Sequence, residues 1–146
     1  MKSNKGITIT SLIIYIIVFT IVIATVSTIS GYFIKNTDDI IISTNSSAQH
    51  TKFTTYLSDD INSINFSKLE VKQNSININF LDGSSHYYIY NDQKIYYMSK
   101  KESIIDKTVV LCENVTNNNF EYNEDTKKLN ISLVIDGIVY QNSYTI

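Results

Sequence analysis

The chain has no arginine, no proline and no tryptophan, and it has one cysteine and four glycines in 146 residues. Each shortage excludes something. All 12 basic residues are lysines, and 14 acidic residues outnumber them for a formal charge of −2. A chain with that balance and no guanidinium fork is a poor general binder of nucleic acid. Cys112 on its own permits neither an internal disulfide nor a multi-cysteine metal site. No HExxH, CxxC or Gly-rich phosphate loop occurs, so none of the motifs with an obvious chemical mechanism is present. Charged residues make up only 18% against 43% hydrophobic. That is the composition of a folded chain rather than a disordered one, and its length suits one domain of ordinary size.

What is present is unevenly placed. No charged residue occurs from Gly6 to Ile34, and 14 large apolar residues lie between Leu12 and Ile34. As a helix this stretch is about 40 Å long at about 1.5 Å per residue, enough to cross a bilayer core of about 30 Å. Those side chains favour insertion by about 4–8 kcal/mol, less what Thr20, Thr25, Ser27, Thr28 and Ser30 take back. A cleavable secretory signal has a shorter apolar core and a small-residue cleavage site; here the run is longer and Ala24 has no A-x-A partner. The stretch therefore reads as a retained membrane helix. Lys2 and Lys5 precede it, which keeps the N-terminus in the cytoplasm and sends the remainder across the cytoplasmic membrane.

The helical pattern continues. Phe53, Tyr56, Leu57, Ile61 and Ile64 recur at spacings of three and four, one apolar stripe on a helix. Asp59, Asp60 and Asn62 are expected on its other side. The spacing predicts one long helix from about Ile7 to Asn65, with Gly31, Ser27 and Ser30 as the place for a bend. After Phe66 the period becomes two. Ile76, Ile78 and Phe80 alternate with polar neighbours, Asp82-Gly83 supplies a hairpin turn, and His86 to Tyr90 follows as a strand. Asn91-Asp92 marks a further turn before a strand at Lys94 to Met98. Val109 to Cys112 is short and apolar, Leu129 to Ile135 alternates, and Asp136-Gly137 turns into Val139 to Ile146. The expected fold class is α+β: a long N-terminal membrane-spanning helix whose C-terminal half packs on an antiparallel β-sheet head.

These features meet in a short basic leader, Lys5-Gly6, then Ile7-Thr8-Ile9-Thr10-Ser11-Leu12, then an uncharged helix leading to a sheet-rich head. The arrangement resembles the type IV pilin and type II secretion pseudopilin superfamily. The resemblance implies a leader at residues 1–6, an assembly helix at 7–34 and an extracytoplasmic head at 35–146. It implies cleavage between Gly6 and Ile7 by a prepilin peptidase, N-methylation of Ile7, and no cofactor, metal or catalytic residue. The implied partners are membrane lipid before assembly, other major and minor pilin-like subunits, and the inner-membrane assembly platform. Ser11 and Leu12 are the implied assembly residues. Ser11 departs from the family pattern, which usually places glutamate there to pair with a neighbouring subunit's N-terminal amine. A serine cannot make that ion pair, so the resemblance points to a minor subunit at the tip or start of a fibre. The element order of the head is similar to the J-type minor pseudopilins and their PilW-like pilus and competence counterparts.

The other reading is a single-pass membrane protein with an uncut anchor and a head that binds a ligand or partner. Enzymatic alternatives have little behind them. Ser84-Ser85-His86 is read as turn and strand surface, because strand neighbours point to opposite faces. Asp38-Asp39 and Asp59-Asp60 are read as solvated helix faces, and Cys112 as a buried small hydrophobe. Tyr87, Tyr88, Tyr90, Tyr96 and Tyr97 crowd two strands, with Lys94, Lys100 and Lys101 nearby. Such a mixture suits single-stranded DNA, but the acidic head disfavours DNA as a partner. Alternate tyrosines are expected to fill the core, and the rest to decorate the sheet or a subunit contact.

Overall fold

The computed structural model describes residues 8–102 and 104–146. One helix, α1 (Ile9–Ile61), is followed by eight strands: β1 (Phe66–Lys72), β2 (Ser75–Phe80), β3 (Ser84–Asn91), β4 (Lys94–Lys101), β5 (Ile104–Cys112), β6 (Val115–Asn123), β7 (Lys128–Ile135) and β8 (Ile138–Thr145). The α+β class holds, with the long apolar helix first and antiparallel strands after it. The chain falls into two units on either side of Ile41 and Ile42. Among the described residues the first contributes only part of α1 and the Thr8 that precedes it. The second holds the rest of α1 and all eight strands.

α1 runs unbroken through Gly31. Its threonines bond back onto it. Thr20, Thr28 and Thr37 each donate their hydroxyl to the carbonyl four residues back, at 2.8, 2.9 and 2.9 Å, and Thr25 does so to Ile21 at 2.7 Å. A hydroxyl bonded in this way presents only its methyl to the surroundings. The helix ends earlier than its apolar spacing predicts. Asn62 Nδ2 donates to the Ser58 carbonyl at 2.8 Å, and the Ser63 amide donates to the Asp60 carbonyl at 3.3 Å, closing the last turn tightly. Ile64 therefore falls outside the helix, and its side chain is 98% exposed rather than part of the stripe.

The strands form two antiparallel meanders, β1 to β5 in one sheet and β6 to β8 in another. The single expected sheet is thus divided. The break falls at Glu113-Asn114, where Asn114 has φ +55° and its side-chain Nδ2 donates to Asp136 Oδ1 at 2.9 Å. Three hairpins follow from their turn residues. Asp136 and Gly137 both have positive φ, as a two-residue type I′ turn requires. Asp92 and Gln93 do the same between β3 and β4, so that turn sits one residue later than Asn91-Asp92. Gly83, at φ +79°, closes the three-residue loop after β2.

Two strands, β1 and β6, are not apparent from alternation, and both carry a bulge at their start. In β1 the register shifts between Phe66 and Lys68; in β6 it shifts between Val115 and Asn117. A bulge adds one residue and changes the phase of the side chains. Apolar positions then read 66, 69, 71 and 115, 120, which is not a strand pattern on paper. In the structure Phe66, Leu69 and Val71 face Phe80, Ile78 and Ile76, and Val115 and Phe120 face Ile135 and Ile131.

One core joins the helix to both sheets. Phe53 and Leu57 of α1 pack with Ile76, Ile78, Tyr88, Ile95, Leu111, Val115, Leu129, Leu133 and Ile135, all essentially buried. Tyr56 and Ile61 flank them half-buried. Phe53 meets the Tyr88 ring edge-on at 5.9 Å, and Tyr56 meets Tyr97 at 5.0 Å. Of the crowded tyrosines, Tyr88 and Tyr97 fill the core and Tyr90 packs against it. Truncating Phe53 to alanine is expected to destabilise the head by about 3–5 kcal/mol. Denaturant unfolding of the full chain in detergent checks this, and an unchanged midpoint would contradict the packing role assigned to Phe53.

Candidate functional site

The assembly residues implied by the sequence fall at the start of α1. Gly6 and Ile7 lie outside the described residues. Thr8 caps the helix: its Oγ1 accepts the Ser11 amide at 3.3 Å, and its carbonyl accepts the Leu12 amide at 3.1 Å. The Ser11 and Thr8 hydroxyls are 2.9 Å apart. Ser11 thus occupies the third position of the first turn, where a capping-box partner stands. In the sequence Thr8 reads as part of the Gly6-Ile7-Thr8-Ile9 pattern and not as a cap, although a threonine three residues before a polar side chain at the head of an apolar run is a start signal.

From Leu12 to Ile34 the helix presents apolar side chains all round. Every large apolar side chain between Leu12 and Ile34 is at least 50% exposed. Seven apolar side chains within the eight residues Leu12–Phe19, at about 100° per residue, leave no polar face. Burying such a side chain is worth roughly 1.5–3 kcal/mol, so water is a poor solvent for this surface. α1 is long and apolar enough to cross a membrane, which an all-round apolar helix implies. Its backbone amides and carbonyls are paired within the helix, as lipid requires. The Ile40–Ile42 cluster is exposed as well, and so are Asp38 and Asp39.

In the second unit a polar cluster fastens the last turns of α1 to the sheet. Asp60 does not sit on a solvated face. It lies seven residues after Phe53, and two helical turns return it to the sheet side, whereas Asp59 is exposed. The Tyr88 hydroxyl donates to Asp60 Oδ2 at 2.5 Å, and His86 Nδ1 lies 2.9 Å from Oδ1. An ionised carboxylate only accepts, so His86 Nδ1 carries a proton and donates. The Tyr97 hydroxyl is 3.1 Å from the same nitrogen. Burial pushes the Tyr88 and Tyr97 phenols well up, and the Asp60 carboxylate pushes them further. Both stay protonated in neutral solution. His86 is therefore an internal tie rather than plain strand surface. Its sequence neighbours look elsewhere: Ser84 Oγ donates to Asp82 at 2.6 Å and Ser85 Oγ to Asn79 at 2.7 Å.

Further up α1, Ser46 Oγ and the Tyr140 hydroxyl are 2.8 Å apart, and His50 stacks on Tyr140 at 4.4 Å. Asn142 Nδ2 donates to His50 Nε2 at 2.9 Å. Gln49 Oε1 accepts the Glu113 amide at 2.6 Å, and Lys52 Nζ donates to the Val110 carbonyl at 2.7 Å. Cys112 is fully buried, and burial pushes its thiol up to about 12, so it behaves as a small hydrophobe. A groove of about 300 Å³ beside Asp60 is lined by Asp59, Asp82, Ser84 and His86. No group of three or more metal-ligating side chains occurs among the described residues. What the arrangement does is mechanical: the polar ties and core fix one end of α1, and the other end offers an unpaired apolar surface.

No protein-family model, curated protein or solved structure matches this chain.

Two outcomes follow from the ties. Asp60→Asn removes the charge that two donors converge on and is expected to cost about 1.5–3 kcal/mol, while Asp59→Asn shifts stability by no more than about 0.5 kcal/mol. Chemical denaturation of both variants checks this, and equal effects would contradict it. Burial holds His50 below its usual range. The folded head therefore binds fewer protons than the unfolded chain, and stability falls as pH drops through about 6.5. Melting curves between pH 8 and 5 should show that slope, and His50→Gln should flatten it. An unaltered slope in the variant would assign it elsewhere.

Proposed function

We propose that the chain is a structural minor pilin or pseudopilin subunit that helps to initiate or cap a type IV pilus, a type II secretion pseudopilus or a competence pseudopilus. The observation that carries the reading is the unequal treatment of one helix. From Leu12 to Ile34 its apolar side chains are at least 50% exposed on all sides, while Phe53 and Leu57 of the same helix are fully buried against a sheet head. A surface of that kind is stable in lipid or against similar helices. The sequence of events is insertion into the cytoplasmic membrane, N-terminus inside, then withdrawal from lipid to pack laterally with sister helices. A prepilin peptidase cuts between Gly6 and Ile7, and the new amine of Ile7 is N-methylated. Removing Lys2 and Lys5 leaves ten lysines against 14 acidic residues.

Ser11 supports a place at the start or tip. A carboxylate with no partner at mid-membrane costs about 2.5–3.5 kcal/mol. The first subunit of a fibre has no earlier neighbour whose amine could neutralise it. Here Thr8 Oγ1 accepts the Ser11 amide and pairs with the Ser11 hydroxyl, a cap that carries no charge. The subunit performs no reaction of its own and needs no cofactor. Its partners are the peptidase, the assembly platform and other pilin-like subunits.

Mass spectrometry of the N-terminus tests the reading. The chain recovered from membranes of cells with an active peptidase should begin at Ile7, and Gly6→Leu should leave the leader in place. An intact leader on the unaltered chain would instead favour a permanent single-pass anchor.

A further inference from the structure

The two sheets have four edge strands, β1 and β5 in one, β6 and β8 in the other. An unpaired edge is a template for a further strand, and natural sheets blunt it with bulges, charges or proline. Three of these edges are blunted. β1 has a bulge after Phe66 and carries Lys68, Glu70 and Lys72. β5 shifts register twice against β4, and Lys52 Nζ caps its Val110 carbonyl at 2.7 Å. β6 has a bulge after Val115, and its Asn118 Nδ2 donates to the Gln73 carbonyl at 2.9 Å. β8 has none of these devices. Ile138 to Thr145 include no charge, glycine or proline, and β8 pairs with β7 without a register shift. Hairpin geometry fixes which way its backbone points. The two-residue turn at Asp136-Gly137 makes Ile135 and Ile138 a hydrogen-bonded pair, and such pairs recur at every second residue. The Ile146 amide donates to the Lys127 carbonyl at 2.9 Å, in the same phase. Tyr140, Asn142 and Tyr144 therefore bond to β7, and the amides and carbonyls of Val139, Gln141, Ser143 and Thr145 point away from it. Among the described residues no other strand or backbone group bonds to them.

A groove of about 330 Å³ lies between this edge and the helix. It is lined by His50, Thr51 and Thr54 of α1 and by Asn142, Ser143 and Tyr144 of β8. None of these is a lysine or a carboxylate. We infer that the groove seats an extended, uncharged segment of a partner chain, which joins β8 as a fourth strand of its sheet. The outward amides and carbonyls of β8 supply the main-chain bonds, and the groove reads alternate side chains of the segment. Side chains on the α1 side meet Thr51 and Thr54, which suit threonine, serine or valine. A charged group there would lose water and find no counter-ion among the lining residues. The β8 strand of a second copy does not fit the same seat. α1 is tied down over β8 by Ser46 to Tyr140 at 2.8 Å and His50 to Asn142 at 2.9 Å. Pairing β8 with its copy would set two such helices over strands about 4.8 Å apart, and packed helices need about 8–10 Å. Every residue of the seat belongs to the second unit, so the seat is independent of what the apolar part of α1 packs against.

The test is fluorescence anisotropy of a fluorescein-labelled octapeptide of alternating threonine and valine with the full chain in neutral detergent. Binding should saturate. Gln141→Pro and Ser143→Pro each remove one outward amide, at edge positions where proline is tolerated, and should each weaken binding about fivefold or more. Gln141→Thr keeps the amide and should match the unaltered chain. Circular dichroism and melting temperature confirm that each variant is folded. The same peptide N-methylated at its two central residues, whose amides point to opposite edges, should bind the unaltered chain about fivefold or more weakly, a result that needs no variant to fold. Amide hydrogen exchange read by NMR should show Gln141 and Ser143 open in the free chain and protected once the peptide is bound. Absence of saturable binding overturns the proposal, and so does binding indifferent to both proline variants and to N-methylation. Protection of Gln141 and Ser143 that rises with protein concentration without peptide would put a second copy on the edge and overturn it as well.

Discussion

Backbone hydrogen bonding inside one helix is the constraint on which the rest depends. From Ile9 to Ile61 the amides and carbonyls of α1 find partners within the helix, and Thr20, Thr25, Thr28 and Thr37 turn their hydroxyls back onto it. Little of the backbone and few side-chain groups are left to be hydrated along the apolar stretch, the hydroxyls of Tyr15, Ser27, Ser30 and Tyr32 being the exceptions, so that stretch tolerates surroundings without water. The absence of proline matters here, because one proline would remove an amide partner and unseat the carbonyl four residues before it. With the ladder intact, the chain joins a water-averse segment to a folded head without a linker of its own.

At the head end, helix and sheets depend on each other. Phe53 and Leu57 are buried only because strands from both sheets close over them. Asp60 is stable beside buried rings because Tyr88 and His86 both donate to it. A carboxylate there without those donors would be a buried charge in deficit. The polar ties from Ser46 to Asp60 run along α1 and reach β8, the β5–β6 junction and β3 in turn. They fix the rotation of the helix about its own axis as well as its distance from the sheets.

Much of this fold is legible in the sequence, and the parts that are not have definite physical causes. The uncharged run, the stripe at Phe53 and Leu57, and the Asp82-Gly83 and Asp136-Gly137 turns all have local signals, and each lies where those signals put it. β1 and β6 do not, because a bulge at the start of each puts the apolar residues out of phase. The division into two sheets falls at Glu113-Asn114, where Asn114 is left-handed and no glycine or proline marks the break. Asp60 is a different case. Its spacing of seven from Phe53 places it on the packed side, but a charge beside Asp59 reads as solvent-facing unless its donors, 26 and 28 residues further on, are known. The tyrosines divide by alternation into core and surface, so their number alone cannot say what they do. Of the residues that the resemblance implies for assembly, Ser11 and Leu12 lie in the first turn of α1, and Gly6 and Ile7 lie outside the described residues.

The account makes the apolar end of α1 a temporary guest of the bilayer and a permanent partner of similar helices. A photo-crosslinker placed at Leu12 tests this most directly in living cells. The account predicts adducts with a different pilin-like subunit when the assembly ATPase is active, and with lipid alone when it is inactive. Lipid adducts alone under both conditions would contradict it.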